Sequence, residues 1–354
     1  MAVKRRNSQL APETVGVVGS GSFGKAIANL LSFNCNVMLF TRRAELVEQV
    51  NVHHEFAGIK ISPRIVATSN MQEVAATCKV IFPIVPSNKF REMMRSLGPL
   101  LTPAHILIHG TKGFDLVGVD YNDLDNNNIT RENIRTMSDV ILEESSVLRV
   151  GCLSGPNLSA EILEGQPTAS LIASHFDEVI QIGQLALNSH KFHLFGSNGM
   201  LGAELAGALK NIFAIGSGIL NGVGMGRNIQ AMLISRGLIE MIYFGKAMGA
   251  SPQDFLGTAG VGDLIATATS TQSRNYQFGT RLGKGETFDD IMQTMPELAE
   301  GVRTLKISQQ LARHYKLHVP ITSMLHSIVY NKLDIDRAIN LLMNYPFNQD
   351  VDFL

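Results

Sequence analysis

From Thr14 to about Phe195 the chain alternates short apolar runs with amphipathic stretches. A run opening at Thr14 is followed by others at Asn36–Thr41, Ile65–Thr68, Val80–Val85, Ile106–His109, Val147–Leu153, Ala169–Ala173 and Lys191–Phe195. Such short runs, bounded by turn residues, read as strands. Between them helices are expected after Gly24 and over Asn70–Ala76, Lys89–Leu97, Arg131–Glu144 and Phe176–Asn188. Each strand stops at a polar or Gly/Pro corner, which is where ligands sit in doubly wound sheets. From Met200 the strand pattern vanishes. Helices are expected over Leu201–Asn221, Asn228–Met248, Pro252–Leu256, Asn275–Lys284, Thr287–Met295, Val302–Tyr315, Ile321–Val329 and Asp334–Met343. The pattern predicts an α/β Rossmann-type dinucleotide-binding domain over 14–198 and an all-α domain over 199–354, after a polar arm over 1–13. Substrate is then expected in the crevice between the two domains.

The stretch Gly199–Asn221 is apolar almost all the way round and crowded with Gly and Ala. A helix without a polar face is normally buried in the middle of a domain. Into this run the sequence places Lys210, with Asn211 beside it. A buried ammonium is costly unless it is paired or deprotonated. Lys210 is therefore either a side chain that snorkels to water or a poised functional group.

The first apolar run leads into Gly19-Ser-Gly-Ser-Phe-Gly24, a G-x-G-x-x-G turn between a strand and a helix. In this context Gly19 permits the tight turn, Gly21 lets the backbone approach a pyrophosphate, and Gly24 allows close strand–helix packing. After the second strand an NAD site usually places an acidic residue on the ribose 2′-OH. Here the chain has Thr41-Arg42-Arg43. Two arginines suit the 2′-phosphate of NADP, although an arginine stacked on adenine would serve NAD as well.

Further polar clusters break the apolar pattern. Gly110-Thr-Lys112-Gly113 exposes a lysine at a strand end, and Ser154-Gly-Pro-Asn-Leu-Ser-Ala-Glu161 is another strand end turning into a helix. Gly260-Val-Gly-Asp263 sets a carboxylate in a glycine turn, which is also what an ordinary N-cap looks like. Ser273-Arg274-Asn275 offers a hydroxyl, a guanidinium and an amide at a helix start; the trio fits a phosphate, or a cap with a surface arginine. Pro296–Arg303 could cover a ribose or simply start a helix. Val117–Thr130 is rich in Asn and Asp and reads as a solvated loop, not a calcium site, because the EF-hand spacing is missing.

Composition narrows the setting. The 354 residues are 45% hydrophobic and 17% charged, enough for substantial cores and against overall disorder. A net charge of −1 supplies no field for nucleic acid or an anionic membrane. Cys35, Cys78 and Cys152 are scattered, which fits reduced thiols in a cytoplasmic protein. No signal peptide follows Lys4-Arg5-Arg6, and Glu204, Lys210 and Asn211 argue against the Gly199–Asn221 run as a membrane span. No metal site is expected.

Seven stretches in order give the chain a family resemblance: GSGSFG (Gly19–Gly24), IVPSNKF (Ile84–Phe90), GTKGFD (Gly110–Asp115), SGPNLSAEI (Ser154–Ile162), Leu205–Asn228, Gly260–Gly279 and AEGVRT (Ala299–Thr304). Over nearly its whole length the sequence resembles NAD(P)-dependent glycerol-3-phosphate dehydrogenases. The extended arm and the Asn/Asp-rich segment before Thr130 depart from the family pattern. The resemblance implies hydride exchange between NAD or NADP and the pair dihydroxyacetone phosphate and sn-glycerol 3-phosphate. It implies that Lys210 is the acid/base at the C2 oxygen, supported by Asp263 and Thr267, and that Lys112 meets substrate and cofactor. Asn211, Gly155, Asn157, Ser159, Ser273, Arg274 and Asn275 fall on the substrate side. Gly19, Gly21, Ser22, Phe23, Gly24, Arg42, Arg43, Ser159, Ala160, Arg274 and Glu300 fall on the cofactor side. Supply of glycerol phosphate for phospholipid synthesis is a further implication, and a homodimer is compatible with it. Competing readings are a related β-hydroxyacid or 6-phosphogluconate-type dehydrogenase, and a dinucleotide-binding sensor without catalysis.

Overall fold

A computed structural model describes residues 12–56, 58–124, 129–295, 299–345 and 350. Most of the expected arm (1–11), part of the Asn/Asp-rich run (125–128), the start of the Pro296 corner (296–298) and the last four residues lie outside the described residues. The chain divides into two compact units, Met1–Asp115 with Thr136–Met200 and Leu116–Arg135 with Leu201–Leu354.

The first stretch of chain runs β1 (Thr14–Val18), α1 (Ser22–Leu31), β2 (Asn36–Phe40), α2 (Ala44–Glu48), β3 (Glu55–Phe56), β4 (Ile59–Lys60), β5 (Ile65–Thr68), α3 (Met71–Thr77), β6 (Val80–Pro83), α4 (Ser87–Leu97) and β7 (Ile106–His109). After a small pair β8 (Asp115–Leu116) and β9 (Ile134–Arg135) come α5 (Met137–Glu144), β10 (Arg149–Ser154), α6 (Ser159–Leu163), β11 (Thr168–Ser174), α7 (Asp177–Leu187) and β12 (Phe192–Ser197). Eight of these strands form one sheet in the order β5-β2-β1-β6-β7-β10-β11-β12. Its pairings are parallel except for β10 with β11. Numbered among themselves, the first six give the order 3-2-1-4-5-6 of a Rossmann sheet.

Both faces of the sheet are covered, because successive strand residues point to opposite sides. Val17 and Ile108 join one buried cluster with Ile27, Leu31 and Ile172. Their neighbours Val18 and Leu107 join the other, with Phe90, Met94, Val140 and Ile141. That explains why the strands read as continuous apolar runs rather than alternating ones.

Two local expectations change. The helix expected from Arg131 starts at Met137, because Thr136 and Asp139 form a capping box there and Ile134–Arg135 is spent as β9. The segment 117–130 is also not simply a solvated loop. Leu124 and Ile129 are buried, and the Arg303 guanidinium lies over the Tyr121 ring at 4.6 Å. Tyr121 also meets Lys306 and the Tyr330 hydroxyl, and Leu116–Arg135 groups with the second unit, whereas the hydrophobic pattern alone groups it with the first.

The second unit continues with α8 (Met200–Gly222), α9 (Arg227–Met248), α10 (Asp263–Thr269), α11 (Arg274–Gly283), α12 (Phe288–Thr294), α13 (Glu300–Tyr315), α14 (Pro320–Asn331) and α15 (Ile335–Met343). Helix α8 is long and apolar enough to cross a membrane, yet 94% of its apolar window is buried within the structure. It meets α11 backbone to backbone. A Cβ added at Gly218 would lie 2.1 Å from the Tyr276 carbonyl oxygen, and one at Gly279 would lie 2.0 Å from that of Ile215. Only glycine allows that approach.

Candidate active site

In the first unit Gly19 and Gly24 sit where a side chain would not fit. Gly19 sits at φ +121°, and a Cβ there would lie 2.0 Å from the Ile84 carbonyl oxygen. A Cβ on Gly24 would lie 1.9 Å from the carbonyl oxygen of Gly19. Gly21 is different: it is exposed and an added Cβ would meet nothing within 4 Å. It is also the N-cap of α1 and supplies no side-chain cap to the first N–H groups of the helix. A helix N-terminus of this kind is able to receive an anion.

At the end of β2 the Ser20 hydroxyl meets the Thr41 hydroxyl at 2.8 Å. The Arg43 guanidinium donates to the Ser20 carbonyl at 2.9 Å and to its hydroxyl at 3.2 Å. Arg42 is exposed beside it. Lys25 adds a third cation to this neighbourhood: burial, and then the charge of Arg43, push its ammonium below its ordinary range. Sequence reasoning missed Lys25, although it directly follows the third glycine.

Phe23 packs on the next corner, since a Cβ on Gly110 would lie 2.8 Å from its ring. Thr111 ties this corner to β6 by donating to the Val85 carbonyl at 2.7 Å. Lys112 then donates from Nζ to the Gly155 carbonyl at 2.9 Å. Gly155 takes φ +145°, and a Cβ there would lie 2.7 Å from Ser170 Oγ. The motifs around Lys112 and Gly155, 43 residues apart, are thus one place. Asn157 donates from Nδ2 to Ser170 Oγ at 3.1 Å, while its Oδ1 is buried without a hydrogen-bond partner among the described residues. Ser159 and Ala160 open α6 immediately afterwards.

In the second unit Lys210 is 5% exposed. Its Nζ pairs with Asp263 Oδ1 and donates to Thr267 Oγ1 at 2.5 Å. Asp263, 1% exposed, is the first residue of α10; Thr267 stands one turn on and shares its face. The preceding turn Thr258–Gly262 is tight enough that a Cβ on Gly260 would lie 1.8 Å from the Phe255 carbonyl oxygen. Snorkelling is therefore not what Lys210 does. Its charge is held inside the helical core by a carboxylate.

Asn211 and Asn275 also meet, with Nδ2 of Asn275 donating to Oδ1 of Asn211 at 2.8 Å. Asn275 Oδ1 accepts from the Gly301 N–H at 2.8 Å. One amide thus braces α8, α11 and the start of α13, a role the sequence did not announce. Ser273 caps α11 by accepting from the Tyr276 N–H at 3.3 Å. Arg274 is exposed at the first position of that helix, and Glu300 is half-buried at the first position of α13.

A Rossmann sheet with an open glycine turn, joined in one chain to a helical unit holding a buried ion-paired lysine, defines a nicotinamide-dinucleotide-dependent dehydrogenase. Family models give the second step. The model of the NAD-dependent glycerol-3-phosphate dehydrogenase N-terminus matches residues 14–180, and that of its C-terminus matches 199–340. The chain belongs to this family. A glycerol-3-phosphate dehydrogenase (NAD(P)+) of Azotobacter vinelandii is 36% identical over 350 residues, 98% of each chain. One of Pseudomonas aeruginosa is 36% identical over 347 residues, 97% of each. The crystal structure of glycerol-3-phosphate dehydrogenase from Coxiella burnetii matches with a TM-score of 0.83 at 27% identity, over 95% of this chain and 99% of that one. The yeast enzyme, from Saccharomyces cerevisiae, matches at 0.80 and 22% identity over 94% and 99%, a likeness of fold.

Proposed function

We propose that this enzyme interconverts dihydroxyacetone phosphate and sn-glycerol 3-phosphate, supplying glycerol phosphate to phospholipid synthesis in the cytoplasm. The observation that carries the reading is Lys210, an ammonium buried in an apolar helix and held by Asp263 and Thr267. A bound nicotinamide supplies the hydride. Lys210 delivers a proton to the C2 oxygen as negative charge builds there, and takes it back in the reverse direction. Asp263 supplies the counter-charge to the buried ammonium, and Thr267 Oγ1 fixes its direction. Lys112 adds a second positive charge for substrate and cofactor. Arg274 and Asn275, with Ser273, bind the substrate phosphate, because a guanidinium at a helix start suits a dianion. Asn157 Oδ1, buried without a partner among the described residues, is available to a substrate hydroxyl.

Gly19, Gly21, Ser22, Phe23 and Gly24 hold the dinucleotide diphosphate, with Glu300 and Ala160 on the cofactor side. Arg42 and Arg43 favour the 2′-phosphate of NADP, and the absence of an acidic residue at Thr41–Arg43 removes the usual partner of an NAD ribose. Oxidation of NADH and NADPH, followed in parallel with dihydroxyacetone phosphate, tests both levels. The reading expects turnover with dihydroxyacetone phosphate and a higher kcat/KM with NADPH. Turnover only with carboxylate substrates would overturn the reaction, and a preference for NADH would overturn the cofactor assignment alone.

A further inference from the structure

One arginine grips the root of the Lys112 corner. Arg91 projects from α4 with its side chain 16% exposed. Its Nε donates to Asp115 Oδ2 at 2.7 Å, its Nη1 to Glu144 Oε1 at 2.5 Å and its Nη2 to Glu143 Oε2 at 2.7 Å. Burial opposes its charge, but the three carboxylates outweigh that and raise its proton affinity above the ordinary arginine value. Arg95 adds a mostly exposed cation 3.4 Å from Glu144. Three carboxylates thus converge on one guanidinium, and a partner left behind in such a cluster is expensive.

Asp115 comes three residues after Lys112 and closes the corner that Gly110 opens. The other end is tied by the Thr111 bond to Val85, and Phe114 between them is buried. The corner is therefore pinned on both sides of the lysine, with Arg91 as the pin on the far side. A staple between α4 and α5 does not account for this geometry. Those helices already share a buried apolar core through Phe90, Met94, Met137, Val140 and Ile141. Moreover the Arg91 Nε bond goes to the corner, not to α5.

We propose that Arg91 is a positioning residue: by fixing Asp115 it holds the corner so that the Lys112 ammonium stays at its working place. Arg91 itself touches neither substrate nor cofactor. The proposal rests on the role given to Lys112 above. Small displacements of a group that orients substrate cost rate steeply, up to about 100-fold for an ångström.

The test compares Arg91→Ala, Arg91→Lys, Asp115→Asn and the double variant Arg91→Ala/Asp115→Asn, with Lys112→Ala as reference. Each is assayed for steady-state kinetics with dihydroxyacetone phosphate, for NAD(P)H affinity by fluorescence and for melting temperature. Arg91→Ala and Asp115→Asn should each lower kcat/KM by about 10- to 100-fold, with dinucleotide affinity held within about twofold. The double variant should be little worse than either single one, because both break the same link. Arg91→Lys should fall between, since one ammonium cannot serve three carboxylates directionally. Added guanidinium should restore activity to Arg91→Ala and not to Asp115→Asn, which a purely structural role would not produce. Wild-type kinetics in Arg91→Ala, or a loss that tracks melting temperature and ignores guanidinium, would overturn the inference. If Lys112→Ala is inactive while Arg91→Ala is normal, the positioning role alone falls. If Lys112→Ala is fully active, the role of Lys112 falls with it.

Discussion

The two lysines are held by opposite means. Lys112 sits half-buried on a corner at a strand end, where its ammonium donates to the backbone carbonyl of a glycine. Lys210 sits in the middle of a helix, out of water, against a carboxylate and a hydroxyl brought in by another helix. Near solvent a backbone carbonyl can help to orient an ammonium. Inside an apolar core an ammonium needs a counter-charge, because desolvation without one costs several kcal/mol. The sheet unit thus places its lysine by loop conformation, through Gly155 and the tied ends of the corner, whereas the helical unit places its own by packing. A change in a loop should misplace Lys112 gradually, and a change in packing should act on Lys210 all at once.

The largest effect is expected from Lys210→Met. It should lower kcat by at least about 100-fold while NAD(P)H still binds, since a positioned acid–base group contributes about 10²- to 10⁴-fold. It also strands Asp263 in the core, at a cost of about 3–5 kcal/mol, so melting temperature must be followed beside kcat. A substantially active Lys210→Met enzyme would remove the lysine from the chemistry. Asp263→Asn separates charge from shape. Without the carboxylate the buried ammonium keeps its Thr267 bond but loses its counter-charge, so kcat should fall by about 10-fold or more while NAD(P)H still binds. Unchanged kcat would mean that Asp263 only packs.

Gly279→Ala tests the packing half of the comparison. A methyl group 2.0 Å from the Ile215 carbonyl oxygen must push α11 from α8, and overpacking typically costs about 1–3 kcal/mol. Because α11 begins with Arg274 and Asn275, KM for the phosphate-bearing substrate should rise together with the loss of stability. Loss of stability with unchanged KM would show that the helix start is insulated from the contact.

The smallest effect concerns Glu240, which caps α14 from a different helix. Its Oε1 accepts from the Ile321 N–H at 2.7 Å, and its Oε2 accepts from the Thr322 N–H at 2.9 Å and the Thr322 hydroxyl at 2.6 Å. Burial raises its pKa from 4.5 to about 7, against the pull of those three donors. For a group raised in this way the contribution to stability is complete below the unfolded value of 4.5 and is lost as pH rises through about 7. The stability of the wild type relative to Glu240→Gln should therefore decline between about pH 5 and pH 8, read from denaturant midpoints. A difference independent of pH would break this assignment.

What was legible in the sequence follows local rules. The glycine turn, Lys112 between two glycines and the apolar strands each occupy a few adjacent residues, so their meaning survives without coordinates. Asp263 and Thr267 are named as supports of Lys210 by the family resemblance alone; the structure shows them one turn apart on α10, both facing the ammonium. The Asn275 brace, the α8–α11 glycine contact and the trans cap at Glu240 were not legible. Each joins residues far apart in the chain: Asn211 and Asn275 are 64 apart, Glu240 and Ile321 are 81 apart, and Gly218 meets the carbonyl of Tyr276 in another helix. The Asn/Asp-rich segment misled for a similar reason. Its composition is that of a loop, yet Leu124 and Ile129 are buried and Tyr121 meets Arg303, Lys306 and Tyr330 of the helical unit. Arg91 gave no signal at all, because an arginine on an amphipathic helix looks like solvent-facing charge until its three carboxylates are seen.

The sequence by itself determined the order of elements, the α/β and all-α halves, the dinucleotide turn and the suspicion attached to Lys210, because periodicity, glycine stereochemistry and desolvation act on near neighbours. The tertiary structure decided that Lys210 is ion-paired rather than snorkelling, that Lys112 and Gly155 share one corner, and that Tyr121 stacks on residues of the helical unit. Those outcomes depend on which groups meet once the chain is compact. The free energy of a buried charge is set by the partner it finds there.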